Sequence, residues 1–363
     1  MKRNFPFMIG FDVKRLWFLA VILLLSQWPA YSQCCDSTSC KCSTYDLNPS
    51  GIMIGHPHQK GEWMLSYRYM TMQMRDNLSG TSKVGDDAIF QNYIMAPHSM
   101  RMDMHMVMAM YGITNRLTVM GMFNYDVLSM NMTMLPGTMQ MQMKGMVMAD
   151  KNATTMRTTA SGISDVRLYL MYTLMDTHNQ QLILSAGLNI PTGNIRMASG
   201  SGDLLPGQRL PYMMQLGSGT YDLLPGLTYL LNKTHFTWGS QATGAYRTNY
   251  NSLGYALGNE LTLTTWLAYK ILPWLSVSAR AEGNVTGKIA GRDAAQFEIM
   301  EPDSKTANYG GKRANGYLGF NVYIKKLANS KLSFEYGQPF YRDLNGPQLA
   351  THSVLYAGWG VYF

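Results

Sequence analysis

Sulfur dominates the chemistry open to this chain. Its 363 residues include 31 methionines and four cysteines. Sixteen of the methionines fall between Met100 and Met148, and Cys34, Cys35, Cys40 and Cys42 lie within nine residues. Thioethers are soft, neutral donors suited to Cu(I) and, by the same softness, Ag(I), whereas Mg and Ca prefer oxygen. The cysteines add Cys-x-Cys thiolates, which suit Cu(I) or Zn(II); disulfides formed in an oxidising compartment are the competing use. His56-Pro57-His58 adds two imidazoles, or else is a solvated linker. The candidate soft-metal ligands are Cys34, Cys35, Cys40, Cys42, His56, His58, Met70, Met72, Met74, His105, Met130, Met132, Met134, Met139, Met141 and Met143. Met-x-Met in an extended strand sets sulfurs about 7 Å apart on one face, too far for one ion, so a ladder of weak sites is expected. Methionine also fills irregular apolar gaps, which would account for a scattered handful.

What must position these residues is a β-structure. Alternation runs nearly to the end, as in Leu261, Leu263, Leu267 and Tyr269 opposite Glu260, Thr262, Thr264 and Lys270. Strands are expected at 62–76, 100–113, 116–129, 163–176, 180–191, 220–232, 234–248, 255–271, 273–287, 314–326, 330–338 and 351–363. Short turns near Asn115, His178, Lys233, Pro273 and Asn329 alternate with longer links at 77–99, 130–162, 192–219, 249–254, 288–313 and 339–350. About twelve strands, short turns at one end and long loops at the other describe an all-β, transmembrane, antiparallel up-and-down β-barrel. Tyr and Trp at strand ends (Trp63, Tyr111, Trp274, Trp359) fit interfacial girdles, and Phe363 closes an alternating strand with a terminal aromatic, the usual outer-membrane insertion address. A soluble β-sandwich would need a more apolar inward set.

Lys2, Arg3, Lys14 and Arg15 before the apolar run Leu16–Leu25 predict a secretory signal over 1–32, cleaved near Ser32/Gln33. A lipidated Cys34 is the weaker alternative, because Tyr31-Ser32-Gln33 is a poor lipobox. Residues 33–61 follow as a short, flexible periplasmic Cys/His segment, and 62–363 as the outer-membrane barrel with a Met-rich outer loop at 130–148. Only 14% of residues are charged, against about 25% in soluble chains. Of the net charge of +8, the signal carries +3 (four basic residues minus Asp12), and the remaining +5 is spread out, with no basic cluster for nucleic acid.

Charged residues at mid-strand belong in the lumen, since on the lipid face each costs about 2–4 kcal/mol. Arg68, Arg167, Glu260, Arg280, Glu282 and Glu335 are therefore expected to line the pore as an ion-pair network, and Arg68 carries Met70, Met72 and Met74 inward with it. For strand 100–113 two registers stand. Either the even methionines face the lumen, the preferred choice, or Arg101, Asp103 and His105 do.

Four segments resemble the outer-membrane barrel family named for meta-pathway phenol degradation: GISDVRLYLMYTL (162–174), LILSAGLNIPTGN (182–194), LPYMMQLGSGTYDLLPGLTYL (210–230) and LNGPQL (344–349). MIGHPHQKGEWMLSYRYMTMQM (53–74) and MRMDMHMVMAMYGITNRLTVMGM (100–122) are similar to its Met-rich branch, associated with heavy-metal resistance. The resemblance implies an outer-membrane channel or passive carrier and transfers no catalytic residue, so no enzyme is expected. Two functions follow: a transporter or channel linked to copper or silver binding or efflux, and a passive channel for small hydrophobic or aromatic compounds. An adhesive barrel is a third. No resident cofactor is required; Cu(I) or Ag(I) enters as a bound or transported ion. The expected partners are outer-membrane lipid and metal ions or small hydrophobic molecules.

Overall fold

The computed structural model describes residues 46–134, 154–200, 207–324, 327 and 329–363. Its strands are β1 (Trp63–Gly80), β2 (Ser82–Val84), β3 (Met95–Gly112), β4 (Leu117–Met134), β5 (Thr154–Ile163), β6 (Val166–Asp176), β7 (Gln180–Ile190), β8 (Asp222–Asn232), β9 (Phe236–Arg247), β10 (Tyr255–Ala256), β11 (Glu260–Leu272), β12 (Leu275–Thr286), β13 (Ala290–Gly291), β14 (Gly311–Ile324) and β15 (Ser330–Tyr362). Each wall strand pairs antiparallel with the next, in the order β1-β3-β4-β6-β7-β8-β9-β11-β12-β14-β15, and β15 closes on β1. β5 and β6 share one crossing, β5 against the upper part of β4 and β6 against the lower part. Among the described residues no helix is long and apolar enough to cross a membrane.

An odd number of alternating strands cannot close antiparallel, because the first and last would point the same way. β15 resolves this. Ser330–Leu344 runs against β14 and Leu344–Tyr362 runs against β1, so the chain reverses near Leu344. Trp359 Nε1 donates to Ser330 Oγ at 3.1 Å across the two halves. Counted by crossings, the eleven strands of the ring make the twelve expected from alternation. Closure of β15 on β1 leaves the ring without a terminal strand, while β5 pairs with β4 alone.

The outward residues are apolar, among them Leu261, Leu263, Leu267 and Tyr269, while their neighbours Thr264, Trp266 and Ala268 are buried inside. Interior rings lie over glycines on the next strand. Tyr169 faces Gly187, Trp266 faces Gly239 and Tyr317 faces Gly337, each as direct cross-strand partners. A Cβ at any of these glycines would overlap the ring.

Several boundaries differ from expectation: β3 begins at Met95, β5 (Thr154–Ile163) takes up the end of the expected link 130–162, and β15 continues through the expected link 339–350. The strand expected at 255–271 breaks in two: Tyr255–Ala256 pairs with β13, and the wall begins at Glu260. β4 runs five residues past the expected 129, so Met130, Met132 and Met134 belong to the wall rather than to an outer loop. Alternation continues unbroken through Ser129-Met130-Asn131-Met132, and pairing with β3 and β5 on both sides holds those residues extended.

Candidate functional site

Antiparallel partners point to the same side of a sheet, so one anchored residue sets its neighbours. Arg68 is buried and pairs with Met106. The even residues of β3 therefore face inward, as preferred, and Val107 faces out at 44% exposure. Met64 pairs with Met110, Met70 with Met104, Met72 with Met102 and Met74 with Met100. On the other side of β3, Met100 pairs with Met130, Met108 with Met122 and Met110 with Met120. Met132 meets Met156 of β5. The result is a thioether wall across β1, β3, β4 and β5. Rows such as Met74–Met100–Met130 set side chains on strands about 4.8 Å apart, closer than the spacing along one strand.

The lower lumen is filled by residues 46–58, a correction to the flexible periplasmic segment expected over 33–61, of which 46–61 is described. Interior side chains from around the barrel bind its backbone. Asn321 Nδ2 (β14) donates to the carbonyls of Leu47 and Asn48, each at 3.3 Å. Lys331 Nζ (β15) donates to Asn48 O at 2.9 Å and pairs with Asp46 at 2.8 Å. Thr228 (β8) and Gln241 (β9) donate to Ile54 O at 3.1 and 2.7 Å. Arg68 Nη2 (β1) reaches Ile52 O at 3.4 Å, and Thr118 Oγ1 (β4) accepts from His58 N at 2.9 Å. Gly51 N donates to Glu335 Oε2 at 2.6 Å, and a Cβ on Gly51 would collide with the Arg280 guanidinium and the Glu335 carboxylate. A cavity of about 30 Å³, roughly one water, remains beside His56 and Met64.

The pore-lining set holds together only in part. Arg280 is clamped by Glu335 at 2.7 and 3.3 Å and by Glu282 at 2.6 Å, with its guanidinium 3.7 Å from the Tyr317 ring centroid. Glu260 instead pairs with Arg247 at 3.4 Å. Arg167 is half-buried beside Met122 and Asn189.

The candidate metal ligands are dispersed. His56 Nε2 lies 3.2 Å from Met64 Sδ, and the His56 and His58 rings stack edge to face at 4.9 Å. Met70, Met72 and Met74 lie in the wall, with Met130, Met132 and Met134 higher up it. His105 points away from them, outward, sharing a hydrogen bond of 2.7 Å with the Tyr67 hydroxyl. Cys34, Cys35, Cys40, Cys42, Met139, Met141 and Met143 lie outside the described residues. Among the described residues no three His, Cys, Asp or Glu side chains group as a metal site.

Two features escaped the sequence reading. Three of the motif segments converge on one knot: Asp165 accepts from Asn189 Nδ2 at 2.8 Å, Ser218 N at 2.8 Å and Gly193 N at 2.9 Å, and Asp222 accepts from Asn189, Ser218 and Arg247. The signal was available as polar residues clustered at strand ends. The knot draws the β7–β8 connection inward, where Leu210, Met214 and Leu216 pack on Met100, Met130 and Met132. The β13–β14 connection joins them through Met300, and Met95 N donates to Met300 O at 2.7 Å. The outer mouth is thus capped by loops. Within the cap, burial pushes the Glu301 carboxyl up to about 7 and that of Asp303 up to about 8, the Glu301 charge adding to the latter.

No family model and no curated protein matches the chain. Among solved structures it is similar to an outer-membrane channel from Pseudomonas putida F1, at 12% identity and a TM-score of 0.56, covering 84% of this chain and 97% of the other. The P. putida toluene transporter TodX aligns at 12% identity and a TM-score of 0.42, covering 84% and 90%. At such identity the first likeness is one of fold, and the chain has the closed antiparallel barrel of an outer-membrane channel.

Proposed function

We propose that the protein is a gated passive channel of the outer membrane for small hydrophobic or aromatic molecules. The family named for meta-pathway phenol degradation fits this reading. The observation that carries it is the thioether wall, which runs from the capped outer mouth down to the segment 46–58. An apolar solute would move along it by exchanging contacts with flexible, polarizable side chains, and conduction requires both closures to shift. Locking the lower one is the test. Ser50 Oγ and Ser333 Oγ are 3.1 Å apart, so Ser50→Cys with Ser333→Cys, in a background lacking the native cysteines, is placed for a disulfide. Uptake of a small aromatic by proteoliposomes should fall on oxidation and return with reductant. Equal uptake in both states removes the gate.

The row Met74–Met100–Met130 favours a second reading, carriage of Cu(I) or Ag(I), because three soft donors on adjacent strands share one level. Changing all three to Leu conserves volume, which is usually tolerated at under about 1.5 kcal/mol per swap. Cu(I) stoichiometry should drop in that variant while the barrel stays folded. Undiminished binding would take the row out of consideration.

A further inference from the structure

Glu301 and Asp303 flank Pro302 in the β13–β14 connection, at the point where it folds over the outer mouth. Both are almost wholly buried, at 2% and 4% exposure. Ser304 Oγ donates to Glu301 Oε1 at 3.0 Å, but Glu301 Oε2 and both oxygens of Asp303 have no hydrogen-bond partner among the described residues. The turn packs against β3, β15 and the turn Tyr212–Met214. Among the described residues the Glu301 charge acts on Asp303, and no basic group offsets either carboxylate. Two uncompensated buried carboxylates side by side are among the strongest local penalties a fold carries, and a loop with a free choice of conformation would turn them outward.

We propose that Glu301 and Asp303 bind a hard divalent cation, Ca2+ or Mg2+, which pins the β13–β14 connection across the outer mouth. Carboxylate oxygens are the preferred ligands of both ions, and the three orphaned oxygens are an unfilled share of such a shell. A bound cation cancels the buried charge and satisfies those oxygens together. Met300, one residue away, packs into the thioether cluster instead, so hard and soft chemistry are separated within the cap. The site stands whichever solute crosses the barrel.

The experiment uses the full chain in detergent, stripped with EDTA and titrated with CaCl2 or MgCl2 alone, followed by calorimetry and thermal unfolding. One saturable site per chain and a rise in unfolding temperature are expected. Asp303→Asn should abolish both responses and, in EDTA at about pH 9 where the wild-type carboxyl is ionised, should unfold at a higher temperature than the wild type. Glu301→Gln supplies a second variant, with weakened binding expected. Failure of the wild type to bind either ion, or undiminished binding in Asp303→Asn, overturns the site. So does a wild type that gains stability on acidification from pH 8 to 5 without any cation response, since both carboxyls would then be buried as neutral acids.

Discussion

Deletion of residues 46–58 is expected to leave the outer cap as the remaining closure, so that the barrel shows intermittent ionic current in planar bilayers that the wild type lacks. The segment is held by side chains from β1, β4, β8, β9, β14 and β15, and a segment bound by walls on opposite sides must cross the lumen between them. Its backbone carbonyls are satisfied there by interior donors, as they must be away from water. The wall does not depend on it, because its own ladder is closed. With the segment gone, Asn321, Lys331, Thr228 and Gln241 take water in its place, and the lower lumen hydrates. Channel recordings with wild type and deletion side by side give the measurement. Indistinguishable currents would mean that residues 46–58 do not limit passage.

Glu335→Leu should be the most damaging single substitution in the wall. The Arg280 and Glu335 side chains are each 1% exposed, and the carboxylate grips the guanidinium with both oxygens. Removing Glu335 leaves Arg280 held by Glu282 alone, an under-compensated charge in the interior, and breaking such a buried pair costs up to about 3–5 kcal/mol. The same carboxylate accepts from Gly51 N, so it ties the wall to the segment that fills it. The loss should therefore shrink when residues 46–58 are also deleted, since water then reaches Arg280 and screens it. Urea unfolding of the four proteins in this cycle measures the coupling. A penalty of equal size in both backgrounds would show that the segment does not keep this pair dry.

The wall was legible because a barrel has a period of two and a lipid side. Residues such as Leu261, Leu263 and Leu267 can face only hydrocarbon, and Arg68, Arg280 and Glu335 can face only inward. The rest escaped for identifiable reasons. Met-x-Met repeats look alike in a wall and in a loop, so the pattern alone places residues 130–134 in the loop, although β3 and β5 hold them in the ladder. Asp165, Asn189, Ser218 and Asp222 carry no periodic signal, and their convergence depends on three connections folding toward one point. Glu301 and Asp303 resembled an ordinary exposed turn, because burial of a loop residue leaves no mark in its neighbours.

The sequence by itself determined the all-β class, the number of wall crossings and which residues are barred from lipid, since these follow from alternation and the cost of charge in hydrocarbon. Only the tertiary structure decided the register of β3, because methionine is tolerated by lipid and lumen alike and the pairing of Arg68 with Met106 had to choose between them. It also decided that residues 46–58 fill the lumen and that two loops cap it. Those placements rest on polar contacts between residues as distant as Asp46 and Lys331, or Gly51 and Glu335, which only closure of the barrel brings together.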